Sequence, residues 1–343
     1  MKPGRPSQVY HAMGMTAAKL VVNVDAEAGN RIASAYALPT LWGWLDAHEE
    51  KDWPTLVRGD IAYGNEERMT GCEPRGLAYL FQLRQSLRLP QLVAQLLGKL
   101  ARQGGKAGWR DAGQGWEGVE QELQLQGWKA ARRGIVLRRK LKADIEAEAD
   151  TAQLSLPGAT IQHKGGEWYE YAVLATNWPE RDLLALAQTY RDRAGAENWF
   201  DELKNQWGWT GFTTQDLKRS QWMARRVALI YNWWCIFTRR GTGETQGEAI
   251  TTRPLFQQAI AHRTRHANQT RLYISSIHAK ARQAAHVLDR ISTWLKLFVQ
   301  PAEQLGSKSG WAALLRRIFQ DFAKFPFDPA PEQGALLPVN CRI

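Results

Sequence analysis

The chain has 343 residues, 44% of them hydrophobic, which is enough for a large core and more than one domain and excludes a disordered or low-complexity protein. Lys and Arg number 45 against 34 Asp and Glu, and the net charge of +11 points to a polyanionic partner, because basic surface binds phosphate with release of counterions. The three cysteines, Cys72, Cys235 and Cys341, lie far apart without C-x-x-C spacing, so neither a zinc site nor a disulfide framework is indicated and a reducing cytoplasm suits them.

In chain order, residues 1–7 are an extended basic lead-in with two prolines and no apolar leader. Residues 8–15 and 19–25 read as two strands joined by a tight Thr-Ala-Ala turn, and 26–38 as a connector. Residues 39–50 read as a helix with Pro39 in its first turn, and 55–59 as a short apolar strand with Asp60 at its end. Acidic residues at strand ends commonly line sites in α/β folds, although a cap or turn aspartate is the ordinary alternative. Gly64-Asn65 is the better cap for a helix at 66–75, which leaves Asp60 for another role. Residues 77–84 read as a central strand and 89–102 as a helix.

Composition then shifts. The Gly-rich stretch 104–118 reads as a loop, and 119–176 holds strand-like pieces at 122–128, 133–141, 160–164 and 168–176. Arg132, Arg133, Arg138, Arg139, Lys140 and Lys142 form a basic cluster. A solvated face is the usual reading of such a run, but alternate members of a strand share one side, so Arg138 and Lys140 could track a phosphate backbone. Residues 180–206 read as helical, with Pro179 in the first turn and Gly195 as a point where the helix could break. Helices are expected at 215–238, 254–267, 271–299 and 310–324, a flexible linker at 241–247 and an extended tail after Phe325. No apolar run spans a bilayer; the stretch 227–237, between Arg225-Arg226 and Arg239-Arg240, reads as a buried helix. His262, His266, His278 and His286 have no carboxylate or Cys at ligand spacing, so no metal site is read there. Sixteen tryptophans could stack on exposed bases, although most belong in the core or in groove walls.

The densest chemistry is in residues 190–204, YRDRAGAENWFDELK. Counted from Tyr190, Arg193, Glu197 and Lys204 stand at offsets of 3, 7 and 14, within a narrow arc of one helix, while Trp199 and Leu203 point the other way. A carboxylate flanked by cations suits a divalent ion beside a phosphate chain: the carboxylate offers hard oxygen ligands, and Arg grips phosphate in bidentate fashion. The plainer alternative is a solvated polar face.

This spacing resembles the YREK signature of bacterial insertion-sequence transposases of the DDE type, and R-G-D-x-x-x-G-N-E at 58–66 resembles the segment carrying that family's second acid. The resemblance covers residues 2–240 and implies an α/β, ribonuclease-H-like mixed sheet with a β-rich insertion and a helical C-terminal region. Divided so, 1–103 is the first part of the core, 104–176 the insertion, 177–240 the final catalytic helix region, 248–325 the helical region and 326–343 the tail. It implies Asp60 and Glu197 as acids holding two Mg²⁺ ions, with Tyr190, Arg193 and Lys204 on the phosphates of the transposon end. The insertion would supply a tryptophan that stacks on a flipped base, Trp168 first and Trp128 next. The expected partner is double-stranded DNA at terminal inverted repeats, bound by a homodimer on paired ends in the bacterial cytoplasm, at the nucleoid, with no membrane involved.

The family's first acid lies on a leading strand upstream of a K-P-G-R-P-S-like segment, and here that segment stands at residues 2–7. Asp25 ends a strand, but the family pattern does not place the first acid there. The expectation is therefore an N-terminally truncated copy with impaired activity. Three readings follow: a transposase, a DNA-end-binding remnant that regulates without cutting, and a nuclease of the same fold that only hydrolyses.

Overall fold

The computed structural model describes residues 8–15, 18–31, 33–84, 108–141, 160–164, 167–243, 247–257, 261–267, 269–275, 277, 280–303, 315–318 and 320–321. The lead-in at 1–7, the helix expected at 89–102, Lys142, His278, Cys341 and the tail at 326–343 lie outside these. The chain divides into two compact units, one of residues 1–44, 195–329 and 340–343, the other of 45–194 and 330–339.

The first unit begins with the antiparallel hairpin of β1 (Gln8–Met15) and β2 (Leu20–Ala28), paired as a two-stranded sheet. Helix α1 (Ala33–Asp46) follows. It starts six residues earlier than the sequence suggests, so Pro39 lies inside it rather than in its first turn. His11 on β1 is buried, with Nε2 3.3 Å from the Thr40 hydroxyl. Burial pushes its pKa down, and Asp25, its cross-strand partner, only partly offsets this. A depressed histidine contributes stability that is complete above its unfolded pKa of ~6.5 and is lost as pH falls toward the folded value. His11→Gln should therefore flatten the fall of melting temperature below about pH 6.5; an unchanged slope would rule His11 out as its source.

The second unit holds β3 (Val57–Gly64), helix α2 (Glu66–Cys72), β4 (Tyr79–Leu83), β5 (Arg110–Gly113), β6 (Trp116–Leu123), β7 (Arg132–Lys140), β8 (Thr160–Lys164), β9 (Glu167–Thr176) and helix α3 (Leu183–Arg191). The strands form one seven-stranded mixed sheet in the order β3-β4-β9-β7-β6-β5, with β8 also on β9. Only β3 and β4 run parallel; the other pairings are antiparallel. The insertion strands β5–β9 thus extend the same sheet as β3 and β4. All five residues of β4 are buried, as its near-continuous apolar run requires, with Gln82 the one polar member. Helix α2 is capped by Asn65, whose side chain accepts from Arg68 N at 3.3 Å, where the sequence placed the cap. Helix α3 is capped by Asp182, whose carboxylate accepts from Ala185 N, so Pro179 lies ahead of it. It packs Leu183, Leu186, Ala187 and Tyr190 onto Leu80, Trp116, Ile135, Leu137, Ala172 and Leu174.

The loop expected at 104–118 is corrected. Residues 110–118 belong to a hairpin whose turn places Gln114 and Gly115 at φ 55° and 76°, the pattern of a two-residue type I′ turn. Strand β6 correspondingly ends at Leu123, upstream of most of the piece expected at 122–128.

The first unit resumes with helix α4 (Ala194–Trp207), helix α5 (Leu217–Thr242), helix α6 (Ala249–Gln257), β10 (Ala261–His266), β11 (Gln269–Ile274) and helix α7 (Ala281–Glu303). Helix α5 lies against β2, and the Asn232 amide takes both backbone groups of Val21, at 2.8 and 2.7 Å. Trp199, Leu203, Tyr231 and Cys235 close this core with Leu20, Val21 and Val24. A Cβ on Gly14 would sit 2.5 Å from the Trp199 indole, so only glycine admits that ring. The helices expected at 254–267 and 271–299 are corrected: α6 ends at Gln257, a β-ribbon occupies 261–274, and α7 starts at Ala281. Thr264, Thr270, Tyr273 and Ile274 are strand formers, and they outweigh the helical spacing of the arginines around them. No helix among the described residues is long and apolar enough to cross a membrane.

Candidate active site and DNA contacts

Asp60 lies within β3, on the outermost strand of the sheet, not at its end. The ladder between β3 and β4 runs through Gly59↔Phe81 and resumes only at Gly64↔Leu83. Four residues of β3, Asp60–Tyr63, therefore answer one of β4, and the chain bulges there. Gly64 makes the return possible, since a Cβ on it would fall 2.0 Å from the Gln82 carbonyl oxygen. Asp60 Oδ1 accepts from Ala62 N at 2.9 Å, an Asx-type turn that fixes the carboxylate. Burial, with Asp60 adding to it, pushes the Tyr63 phenol up to about 12, so this neighbour stays neutral.

The single ridge expected over residues 190–204 is corrected. Helix α3 ends at Arg191, residues Asp192 and Arg193 form a turn, and α4 starts at Ala194. The break stands at the division between the two units and two residues before Gly195. Tyr190 stands on α3, ahead of the turn. Its ring is buried at 1% exposure, and its hydroxyl donates to Gln82 Oε1 at 2.5 Å, which anchors α3 under the sheet. Arg193 is half-buried in the turn, its guanidinium 5.5 Å from the Tyr190 ring. Glu197 and Lys204 are both exposed on α4, and their spacing of seven residues, two turns, keeps them on one face, while Trp199 and Leu203 are buried on the other.

The basic cluster on β7 is largely matched by acids. Arg132 binds Glu66 and Glu73, Arg133 binds Glu120 at 2.6 Å, and Arg139 reaches Glu170 at 2.7 Å. Arg138 pairs with Glu117 at 2.7 Å and lies 3.9 Å from the Trp109 ring centroid. Lys140, at the end of the strand, is exposed. Trp168 is half-buried on β9, in register with His163, and Trp128 lies beneath Arg132 at 5.2 Å.

Sequence reasoning missed Arg58. It sits two residues before Asp60 on β3, and its guanidinium donates to the Thr189 carbonyl at the end of α3. Burial lowers its pKa, with Asp192 raising and Arg193 lowering it, so Arg58, Asp192 and Arg193 form one charged group at the helix break. The signal in the sequence was a lone arginine inside an apolar strand.

Asp60 and Glu197 carry the hard oxygen donors that a divalent cation takes, but two carboxylates cannot by themselves hold a pair of ions. Among the described residues no three His, Cys, Asp or Glu side chains are grouped to hold a metal. Asp25 is engaged elsewhere: its Oδ2 lies 2.7 Å from Arg225 and its Oδ1 accepts from Ala26 N.

No curated protein matches the chain. A family model described as the transposase DDE domain matches residues 4–233, more than half of the sequence. The strand-strand-helix-strand-helix-strand order from β1 to β4 and the mixed sheet are those of a ribonuclease-H-like transposase fold, and transposases of this family use divalent metal ions on a DNA substrate. The chain belongs to the transposase DDE domain family.

Proposed function

We propose that this protein cuts and joins phosphodiester bonds at the ends of an insertion sequence, with Asp60 and Glu197 as its metal-holding acids. The observation that carries this reading is the bulge of β3, which lifts Asp60 out of the ladder at a sheet edge inside the matched family domain. Bound Mg²⁺ would supply Lewis-acid stabilisation of the phosphoryl group and a more acidic attacking water. The protein's own part is positioning. Arg193 and Lys204 contact phosphates of the terminal inverted repeat, Lys140 is a further phosphate contact, and Arg138 becomes one only by leaving Glu117. Trp168 is the candidate for stacking on an unpaired base, and two chains would hold paired ends.

A second reading, DNA-end binding without cleavage, is favoured by the Asp25–Arg225 ion pair, which holds the Asp25 carboxylate in a contact within its own unit. The two readings part on one assay. Purified protein with Mg²⁺ and a duplex carrying the inverted repeat should give a nick with a free 3′-hydroxyl and then joined strands under the first, and a shifted but intact duplex under the second. In either case Arg193→Ala and Lys204→Ala should each flatten the slope of log affinity against log salt by about one unit. Slopes equal to that of the unmodified protein would remove both residues from the phosphate track.

A further inference from the structure

Strands β10 and β11 form a two-stranded ribbon in which all six residues of each are in register, from Ala261↔Ile274 to His266↔Gln269, and among the described residues no other strand joins it. Every residue of it is exposed except Thr264 and Ile274, which are half-buried. A hairpin without a hydrophobic face is marginal in water, so a core of its own does not account for it. Its charge is as one-sided as its exposure. Between Glu248 and Asp289 the chain has no acidic residue, where about four would be expected at its average, and the ribbon in that stretch carries Arg263, Arg265 and Arg271 with His262 and His266.

The register sorts these side chains, because residues paired across an antiparallel ladder share a face and successive residues alternate. One face carries His262 with Tyr273, Thr264 with Arg271, and His266 with Gln269. All six can form hydrogen bonds, and none is aliphatic. The other face carries Ala261 with Ile274, Arg263 with Leu272, and Arg265 with Thr270. A two-stranded ribbon is one of the two protein elements that fit the major groove, about 12 Å wide. Six residues span about 20 Å of it, with strands about 4.8 Å apart.

We propose that the β10–β11 ribbon is a second DNA-binding element that enters the major groove, with the face of Thr264, Gln269 and Arg271 toward base edges and Arg263 and Arg265 toward the flanking phosphates. This rests on the reading that the chain acts on DNA, but adds an element outside the matched family domain, which ends at residue 233. Arg271 and Gln269 are the specifying pair, since Arg reads guanine and Gln reads adenine by paired hydrogen bonds. The competing occupant is a second copy of this chain, pairing along the ribbon's edge through Leu272 and Tyr273, which are 53% and 54% exposed.

The test uses the full chain, a randomised 20-base-pair duplex pool, and sedimentation to read oligomeric state. The triple change Arg263→Gln, Arg265→Gln, Arg271→Gln should weaken binding to the pool at least tenfold and lower the salt slope by about two to three units. It should leave the melting temperature in place, because the ribbon has no core to lose. Arg271→Ala alone should barely change affinity for the pool but relax the base preference at one position of the selected sequence. Unchanged affinity and slope in the triple variant, with the unmodified protein binding the pool, would overturn the ribbon's role and leave the DNA-acting reading standing. Failure of the unmodified protein to bind any duplex would overturn that reading and the ribbon proposal with it. A dimer that dissociates on Tyr273→Ser while DNA binding is untouched by the arginine changes would assign the ribbon to self-association instead.

Discussion

Arg132→Met is expected to lower the unfolding free energy by about 2–4 kcal/mol, the cost of breaking a buried ion cluster, toward the lower part because its partners are partly solvated. The side chain is 4% exposed. Its guanidinium binds Glu66, both oxygens of Glu73 at 2.6 and 3.2 Å, and the Thr70 hydroxyl at 3.3 Å. Glu73 in turn accepts from the buried Tyr79 hydroxyl at 3.1 Å. Arg132 thus ties strand β7 to helix α2, 59 to 66 residues earlier in the chain. Methionine keeps the apolar stem but strands two carboxylates. Partial burial would raise the Glu66 carboxyl, but the Arg132 contact holds it below its ordinary value of 4.5. That stabilisation is complete above the unfolded value and lost as pH falls through the folded one. The variant should therefore show its deficit at neutral pH and converge on the parent protein in acid. Denaturant unfolding at several pH values measures this; a loss under about 0.5 kcal/mol at neutral pH would place the cluster with ordinary surface pairs.

Asp60→Asn and Glu197→Gln are each expected to reduce end cleavage by ~10³-fold or more, since a metal-holding carboxylate contributes several kcal/mol to phosphoryl transfer. Asparagine keeps the oxygen that accepts from Ala62 N, so the bulge of β3 should survive. Glutamine on the exposed face of α4 disturbs no packing, because Trp199 and Leu203 hold the opposite face. Affinity for the end duplex and melting temperature should both stay near those of the parent. Cleavage at the parent rate by either variant would remove that residue from the acids.

The parts of this fold that were legible in the sequence are those where local chemistry and tertiary demand agree. Asn65 at a helix start, the apolar run of β4 and the strand pieces at 160–164 and 168–176 each carry their own signal. The hairpin at 110–118 was hidden because its glycines read as loop when they are the turn itself. The ribbon at 261–274 was hidden because arginine and glutamine suit either structure, and only the β-branched and aromatic residues between them tip the balance. The motif at 190–204 shows the limit of spacing arguments. Offsets compatible with one helix face are also compatible with a helix, a two-residue turn and a second helix. The burial of Tyr190 depends on Gln82, 108 residues away, which no local pattern reveals. Arg138 likewise looked like an open cation because its partner, Glu117, stands on the neighbouring strand.

Strand β9 has a consequence for how the protein is made. It is the last strand of the sheet in sequence, yet it lies between β4 and β7, and its Thr176 hydroxyl donates to Tyr79 O across 97 residues. On a translating ribosome β3 and β4 emerge long before that partner exists. At about 5–20 residues per second, β4 waits roughly 5–20 s with the backbone groups of one edge unpaired. Closing so long a loop before any contact rewards it slows folding further. During that interval the nascent chain offers a strand whose residues are apolar or aromatic except Gln82 to whatever binds such strands, and chaperone capture there would decide how much of this protein reaches its native state.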